Sequence, residues 1–278
     1  MFKPLVAATC ALALGAGATV VFAQDPSTPP TVTVGVGKSQ VTLQGADGVK
    51  GGPTRFVFTN SDKVKETFGG IFALKSGTTV EDFKRETARG LNHVWGMGSV
   101  EASATLEGAS DQRVVTADLQ PGGSYIAFQA QSEDPKKWVV TPFSVAGESN
   151  GAKRTAPAAT VSLDDFRFTG AKTLPRKGVV RFQNVGAAPH FAVAFPLKKG
   201  ASVARAGRAI RANNEKAFGK FIGGAPSEPQ GLITPGAVND TEVSFAKAGR
   251  YLLVCFFSTS RKTTQHNQIG MYRAVTVK

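Results

Sequence analysis

Four residues in the C-terminal half of this 278-residue chain have side chains that could bind a metal ion together. The whole chain contains two cysteines, three histidines and three methionines. Cys255, His266 and Met271 follow one another with the spacing Cys-x10-His-x4-Met, and His190 lies upstream. A thiolate, two imidazoles and a weakly bound thioether are the donors of one-electron copper sites in proteins. The residue types and their order therefore predict a copper site.

The first 23 residues are predicted to be a signal peptide. Lys3 precedes an apolar stretch that ends in Val21-Phe22-Ala23, a small-residue cleavage site. An uncleaved membrane anchor is the alternative, but the stretch is short for a bilayer span and poor in leucine and isoleucine. No later segment is long and apolar enough to cross a membrane. We therefore expect a periplasmic or secreted protein whose mature chain has no transmembrane segment.

Export makes the remaining cysteine informative. Cleavage after residue 23 removes Cys10 and leaves Cys255 as the one cysteine of the mature chain. A thiol in an oxidising compartment is liable to oxidise or to pair wrongly, unless it is buried or held by a metal. Burial of Cys255 as a small apolar side chain is the simpler interpretation. Metal binding is favoured by the neighbouring His266 and Met271.

The elements that must position these residues are short strands. Apolar residues alternate in segments 160–168 and 175–184, which is typical of half-buried strands. Further strands are predicted at 190–195, 243–245, 249–257 and 271–277, with a helix-like insertion at 201–218. His190 lies at a loop-to-strand junction, directly after Pro189. The pattern predicts a β-sandwich, a rigid scaffold on which loops carry the ligands.

Two segments of this half resemble the cupredoxin family. They are Gly178-Val-Val-Arg-Phe-Gln-Asn184, which leads to His190, and Gly249-Arg-Tyr-Leu-Leu-Val-Cys255, which leads to His266 and Met271. The resemblance covers about residues 158–278 and implies a Greek-key sandwich that binds one copper ion. It also implies that His190, Cys255 and His266 are equatorial ligands and that Met271 is the axial ligand. The loop from Phe256 to Gln265 is longer than in most small electron carriers of this family.

The N-terminal half repeats the pattern without the ligands. Phe72-Ala-Leu-Lys-Ser-Gly77 parallels Phe195-Pro-Leu-Lys-Lys-Gly200, and a helix-like segment at 80–91 follows it. The alignment of the two halves puts Thr67 at the position of His190, Gln129 at that of Cys255 and Val139 at that of Met271. We therefore expect a degenerate cupredoxin-like domain that binds no metal.

The predicted fold class is all-β, with two Greek-key cupredoxin-like β-sandwiches in tandem, each carrying a short helical insertion. Residues 1–23 are assigned to the signal peptide, 24–147 to the degenerate domain, 148–158 to a linker and 159–278 to the copper-binding domain. The linker is assigned from its polar composition. Each half is long enough to bury a core of its own.

The ligand set favours an exported type 1, or blue, copper protein that transfers single electrons or binds copper in the periplasm, without enzymatic activity. The alternative is a metal-free cupredoxin-like binding module, because the N-terminal copy has already lost its ligands. A copper oxidase or nitrite reductase is less favoured. Such enzymes flank the thiolate with histidines of a second copper centre, whereas Val254 and Phe256 flank Cys255 and the sequence has no His-x-His pair.

The net charge of the chain is +13, from 33 basic and 20 acidic residues, and loss of Lys3 with the signal peptide leaves +12. The basic residues are scattered and form no recognisable nucleic-acid-binding module, so nucleic acid is not expected as a partner. We expect instead that the charge steers a redox partner protein with an acidic surface.

Overall fold

The computed structural model describes residues 27–62, 66–130, 135–258 and 263–278. The predicted signal peptide, residues 1–23, lies outside the described residues. The strands of the N-terminal half are β1 (Thr31–Val36), β2 (Val41–Gln44), β3 (Lys50–Asn60), β4 (Thr67–Leu74), β5 (Gly98–Leu106), β6 (Gln112–Leu119), β7 (Ser124–Gln129), β8 (Val139–Ser144) and β9 (Ala146–Ser149). Its helices are α1 (Val80–Thr87) and α2 (Leu91–Val94), with a short 3-10 helix at Pro135–Lys137.

The C-terminal half has the same composition of strands and short helices. Its strands are β10 (Ala159–Asp164), β11 (Arg167–Gly170), β12 (Thr173–Leu174), β13 (Lys177–Asn184), β14 (His190–Pro196), β15 (Ser227–Ile233), β16 (Val238–Ser244), β17 (Gly249–Val254) and β18 (Tyr272–Val277). Its helices are α3 (Val203–Arg211) and α4 (Glu215–Gly219). Among the helices of the described residues, none has the length and apolar character needed to cross a membrane.

Each half is a sandwich of two sheets. In the N-terminal half one sheet has the order β2-β1-β3-β6 and the other has the order β5-β4-β7-β8. In the C-terminal half the orders are β11-β10-β13-β16 and β12-β18-β17-β14-β15. Buried side chains from both sheets form an apolar core between them in each half. The predicted all-β class, with a helical insertion in each half, is confirmed.

The helical insertions cover the outer face of one sheet in each half. All residues of β17 from Tyr251 to Val254 are buried. Tyr251 and Leu253 belong to the sandwich core, whereas Leu252 and Val254 pack against α3 and α4. Successive side chains of a strand point to opposite faces, so a strand that is buried throughout must be covered on both sides. In the N-terminal half, α1 covers β7 in the same way.

The two halves share a sheet. β16 pairs antiparallel with β6, with Asp240 opposite Thr116 and Thr241 opposite Val115. This pairing joins one sheet of each half into a single nine-stranded sheet. The sequence prediction of two sandwiches in tandem did not include this shared sheet.

The predicted linker holds the two halves together. The predicted linker is 148–158; its first two residues belong to β9, and residues 150–158, all of which the structure describes, contain no helix or strand. Within them, Arg154 donates hydrogen bonds to Asp118 (3.1 Å) and the carbonyl of Thr116 (3.0 Å) on β6. It also donates to Asp240 (3.1 Å) and the carbonyl of Val238 (3.0 Å) on β16. The Arg154 side chain is 13% exposed. This segment is therefore a clamp across the junction of β6 and β16.

A second contact between the halves lies close to the predicted copper site. Trp95, which directly follows α2, packs against the core of the C-terminal half. The centroid of its ring lies 6.0 Å from that of Phe257, in an edge-on arrangement. Phe257 lies in the loop that follows β17, two residues after Cys255. The N-terminal half therefore packs against the loop that carries predicted metal ligands.

Candidate metal centre

His190, Cys255 and His266 lie together at one end of the C-terminal sandwich. His190 begins β14, Cys255 directly follows β17, and His266 lies in the loop before β18. The Nδ1 atoms of the two histidines are 3.1 Å apart. Sγ of Cys255 lies 3.9 Å from Nδ1 of His190 and 3.7 Å from Nδ1 of His266. All three side chains are buried, and together they form the one group in the described part of the chain with a metal-binding arrangement of histidine, cysteine or acidic side chains.

The spacing of these donors fits a single metal ion. Imidazole nitrogen lies about 2.0 Å and thiolate sulfur about 2.3 Å from a bound transition metal. In a plane around one ion, two such nitrogens are about 3.5 Å apart and each nitrogen is about 3.7 Å from the sulfur. The observed separations of 3.1, 3.7 and 3.9 Å are close to these values. Two imidazoles and one thiolate in a trigonal arrangement are the strong ligands of a blue-copper site.

Burial sets the protonation of the three donors. Burial, with the neighbouring His190, lowers the pKa of His266 to about 4. Burial also lowers the pKa of His190, so both imidazoles are neutral near pH 7. Burial raises the pKa of Cys255 to about 11, against the effect of backbone hydrogen bonds from Phe191 and Phe257. A cation is therefore needed to hold this sulfur as a thiolate near pH 7, and metal binding releases a proton.

Asp165 positions His190 from the turn between β10 and β11. Its Oδ1 lies 3.5 Å from Nε2 of His190. The same oxygen accepts hydrogen bonds from the backbone N–H groups of Ala187 (2.8 Å) and Ala188 (3.2 Å). Asn184 holds this loop from the other side, because its Nδ2 donates to the carbonyl of Ala188 (2.8 Å). The carboxylate favours the proton on Nε2 of His190, which leaves the Nδ1 lone pair for a metal.

The loop that carries His266 is tied to the helical insertion. Asn267 is fully buried, and its Nδ2 donates to the carbonyl of Ile210 in α3 (2.9 Å). The backbone N–H of His266 donates to the carbonyl of Phe257 (3.0 Å). The imidazole packs edge-on against Phe166 at 5.1 Å and Phe257 at 5.4 Å between ring centroids. These contacts fix the position of the ring at the rim of the sandwich.

The prediction of a continuous strand over 160–168 is wrong. The structure has a turn at Asp165 and Phe166, between β10 and β11. Phe166 has a φ of 63°, in the left-handed region, which side chains other than glycine rarely adopt. Two adjacent aspartates, Asp164 and Asp165, are a turn signal in the sequence. The break places Asp165 beside His190 and Phe166 over His266, two contacts that the sequence analysis did not identify.

Met271 lies next to the three donors along the backbone. Its carbonyl accepts a hydrogen bond from the N–H of Cys255 (3.1 Å), and its N–H donates to the carbonyl of His266 (2.9 Å). Its side chain is fully buried in the core of the C-terminal half. The assignment of Met271 as the axial ligand stays a prediction.

The corresponding positions of the N-terminal half hold no metal-binding side chains. Thr67 begins β4 as His190 begins β14. Gln129 at the end of β7 is paired with Val139, as Cys255 is hydrogen-bonded to Met271. Thr67 and Gln129 are buried. A hydroxyl, a carboxamide and an aliphatic side chain lack the soft and imidazole donors that copper selects.

No protein-family model matches this chain, and no curated protein matches it. Among solved structures it is similar to auracyanin B, at 24% identity over 45% of this chain and 93% of that chain, with a TM-score of 0.26. Auracyanin A, a "blue" copper protein from Chloroflexus aurantiacus, matches at 17% identity over 43% of this chain and 96% of that chain, with a TM-score of 0.26. A copper-containing nitrite reductase from Thermus scotoductus matches at 13% identity over 91% of this chain and 68% of that chain, with a TM-score of 0.23.

These identities and TM-scores are too low to transfer a function, so the site has to be judged by its own geometry. Three buried donors with the chemistry and spacing of a type 1 copper site lie at one end of a two-sheet sandwich. In sandwich architecture and in donor set, this chain is similar to the cupredoxins.

Proposed function

We propose that this chain is an exported blue copper protein that transfers single electrons. The observation that carries the proposal is the buried group of His190, Cys255 and His266, whose Nδ1 and Sγ atoms lie within 3.9 Å of one another. Met271 is proposed as the fourth, weakly bound ligand. A copper ion held by these side chains supplies a one-electron couple.

The surrounding residues support this role by making the site rigid. Asp165 and Asn184 hold the loop before His190, and Asn267 ties the loop of His266 to α3. All three proposed strong ligands are buried, which keeps bulk water away from the donors. Ligands that are locked by packing and hydrogen bonds keep their geometry when the charge of the ion changes, so little rearrangement opposes electron transfer.

An apolar surface supports docking of a partner near His266. Phe166, Val185 and Ile269 are the exposed large apolar side chains in the described ranges of the chain. Phe166 packs against the ring of His266, Ile269 lies in the same loop as that histidine, and Val185 begins the loop that Asp165 holds. Exposed apolar side chains on the loops around one site are candidates for contact with a partner. We propose that a redox partner docks on these loops and that the positive charge of the chain attracts its acidic surface.

Addition of Cu(II) to the protein without residues 1–23 tests the copper site. We expect one bound equivalent and the strong visible absorption of a thiolate-to-copper transition. Cys255→Ala should abolish this absorption. His93→Ala is the matched control, because His93 is an exposed histidine outside the site, and this variant should keep the full absorption. A protein that stays colourless with Cu(II) would contradict the proposal and favour the metal-free binding module. Colour that persists in Cys255→Ala would contradict the proposal by showing that the coloured copper site does not use this thiolate.

Two further measurements test the finer parts of the proposal. Fractionation of bacterial cells that express the full chain should place the protein, shortened by residues 1–23, in the periplasm or the medium. Retention of the full-length chain in the membrane would contradict cleavage and favour an uncleaved membrane anchor. The copper-loaded protein should not turn over nitrite with a reductant or phenols with oxygen. Turnover of either substrate would overturn the non-enzymatic role and favour a copper oxidase or nitrite reductase.

A further inference from the structure

A cavity of about 230 Å³ lies in the seam between the two halves. It is lined by Phe68 and Thr105 from the N-terminal half and by Phe191, Glu228, Leu232 and Phe257 from the C-terminal half. Three of these side chains are phenyl rings, and Glu228 is the ionisable group among them. Most of the lining residues are partly exposed, so the cavity opens to solvent.

Glu228 is held in place by Thr105 on β5. Its Oε1 accepts a hydrogen bond from the backbone N–H of Thr105 (3.3 Å), and its Oε2 accepts one from the hydroxyl (2.9 Å). Arg113 is the basic residue whose charge acts on this carboxyl, but Arg113 is paired with Asp111 at 3.2 Å. The negative charge of Glu228 is therefore only partly balanced by the protein.

The protonation of Glu228 reflects this environment. Burial raises its pKa from 4.5 to about 7, and the negative charge of Glu107 acts in the same direction. The hydrogen bonds from Thr105 and the charge of Arg113 act in the opposite direction but do not cancel the effect of burial. A carboxylate in such a place is stabilised by any cation that enters the cavity.

Aromatic walls around a partly balanced carboxylate have the chemistry of an organic-cation site. A cation next to the face of an aromatic ring is attracted by the negative face of the ring. The volume of 230 Å³ equals that of about eight water molecules at about 30 Å³ each, which is room for a small alkylammonium ion. We propose that this cavity binds a small organic ammonium ion, with Glu228 as its counter-ion and Phe68, Phe191 and Phe257 as its aromatic walls. Binding at this site does not require copper.

Calorimetric titration of the protein without residues 1–23 with choline tests this proposal. Choline should bind one equivalent at pH 8, in the copper-free and the copper-loaded protein alike. The uncharged isostere 3,3-dimethylbutan-1-ol should bind at least about tenfold more weakly, because it keeps the shape of choline and lacks its charge. The affinity for choline should fall as the pH drops below about 7, where Glu228 takes up a proton.

Two variants locate the site. Glu228→Gln keeps the size of the side chain and an oxygen that accepts from Thr105, and it should weaken choline binding at least about tenfold. Glu215→Gln is the matched control, because Glu215 lies in another groove with three phenylalanines, of about 480 Å³, but is exposed there. This control should bind choline as the unmodified protein does. Absence of choline binding, equal binding of the uncharged isostere, or unchanged affinity in Glu228→Gln would each overturn the proposal.

Discussion

Replacement of Arg154 by methionine tests whether the clamp at the junction of β6 and β16 stabilises the whole chain. The guanidinium donates to the carboxylates of Asp118 and Asp240 and to the carbonyls of Thr116 and Val238, at 3.0 to 3.1 Å. The side chain of Arg154 is 13% exposed and that of Asp240 is 3% exposed. Methionine retains much of the apolar volume of arginine but donates no hydrogen bond, so the variant removes the polar contacts selectively.

The expected loss follows from what is left unpaired. Removal of one partner of a buried ion pair costs about 3 to 5 kcal/mol in the free energy of unfolding. Asp240 keeps a second partner, because Arg181 donates to it at 2.7 Å. We therefore expect a loss at the lower end, about 3 kcal/mol. Arg55→Met is the matched control, since Arg55 also pairs across the halves, with Glu242, but both side chains are more exposed, at 34% and 49%. That control should cost at most about 1 kcal/mol.

Urea denaturation of the copper-free proteins, followed by circular dichroism, gives both losses without a contribution from metal binding. Tryptophan fluorescence provides a second probe, because one of the two tryptophans of the chain, Trp95, lies at the contact between the halves. A loss of at most about 1 kcal/mol in Arg154→Met, the size expected of the exposed pair, would show that burial adds nothing to the polar contacts of Arg154. An unchanged free energy of unfolding in Arg154→Met would refute the clamp altogether.

Three other outcomes follow from the site and the seam. The contribution of Glu228 to the free energy of unfolding should fall by about 3 kcal/mol as the pH rises from about 4.5 to about 7, because the folded chain holds its proton to a higher pH than the unfolded chain does. The buried imidazoles of His190 and His266 act in the opposite direction over this range. The decline is therefore measured as the difference between urea titrations of the unmodified protein and of Glu228→Gln. Asp165→Ala should weaken copper binding about 10- to 100-fold in a chelator competition assay, because His190 loses its orienting carboxylate. Asp165→Asn should lose less of the copper affinity. Equal affinities in the unmodified protein and both variants would contradict this role of Asp165. Trp95→Ala should lower the free energy of unfolding by about 3 kcal/mol and speed the loss of copper to a chelator, because this ring packs against Phe257 in the seam. Trp138→Ala, which removes a ring stacked within the N-terminal half, should leave the rate of copper loss unchanged. Equal rates in the two variants would contradict the contribution of the seam.

The donors of the site could be predicted from the sequence because their residue types are scarce. The chain has two cysteines and three histidines, so few other combinations of residues could supply the thiolate and the two imidazoles of the site than His190, Cys255 and His266. The repeat of the two halves was also visible, and both helical insertions are confirmed. Each of these features depends on residue identity or local periodicity, which a sequence displays directly.

Features that depend on contacts between distant segments could not be predicted in this way. Strand β15, Ser227–Ile233, contains Pro229 and Gly231 and has no clear alternation of apolar and polar residues. It is a strand because it pairs with β14 and packs closely on β5. A side chain at Gly231 would meet the carbonyl of Ser103 at 2.2 Å, so this approach requires glycine. Asp165 was missed for the same reason, since its partners follow it by more than twenty residues.

The continuous sheet limits how far this protein could be shortened. If the C-terminal half, which carries the donors, were produced alone, β16 would lose its partner β6. Its edge would then be exposed, as would the phenyl rings of the seam. Bare edges recruit strands from other molecules and lead to aggregation. We expect the excised fragment to self-associate, even though its own core and donors are complete. The N-terminal half, which lacks the donors, thus protects the C-terminal half: its strand β6 covers an edge of β16 that would otherwise be open to other protein chains.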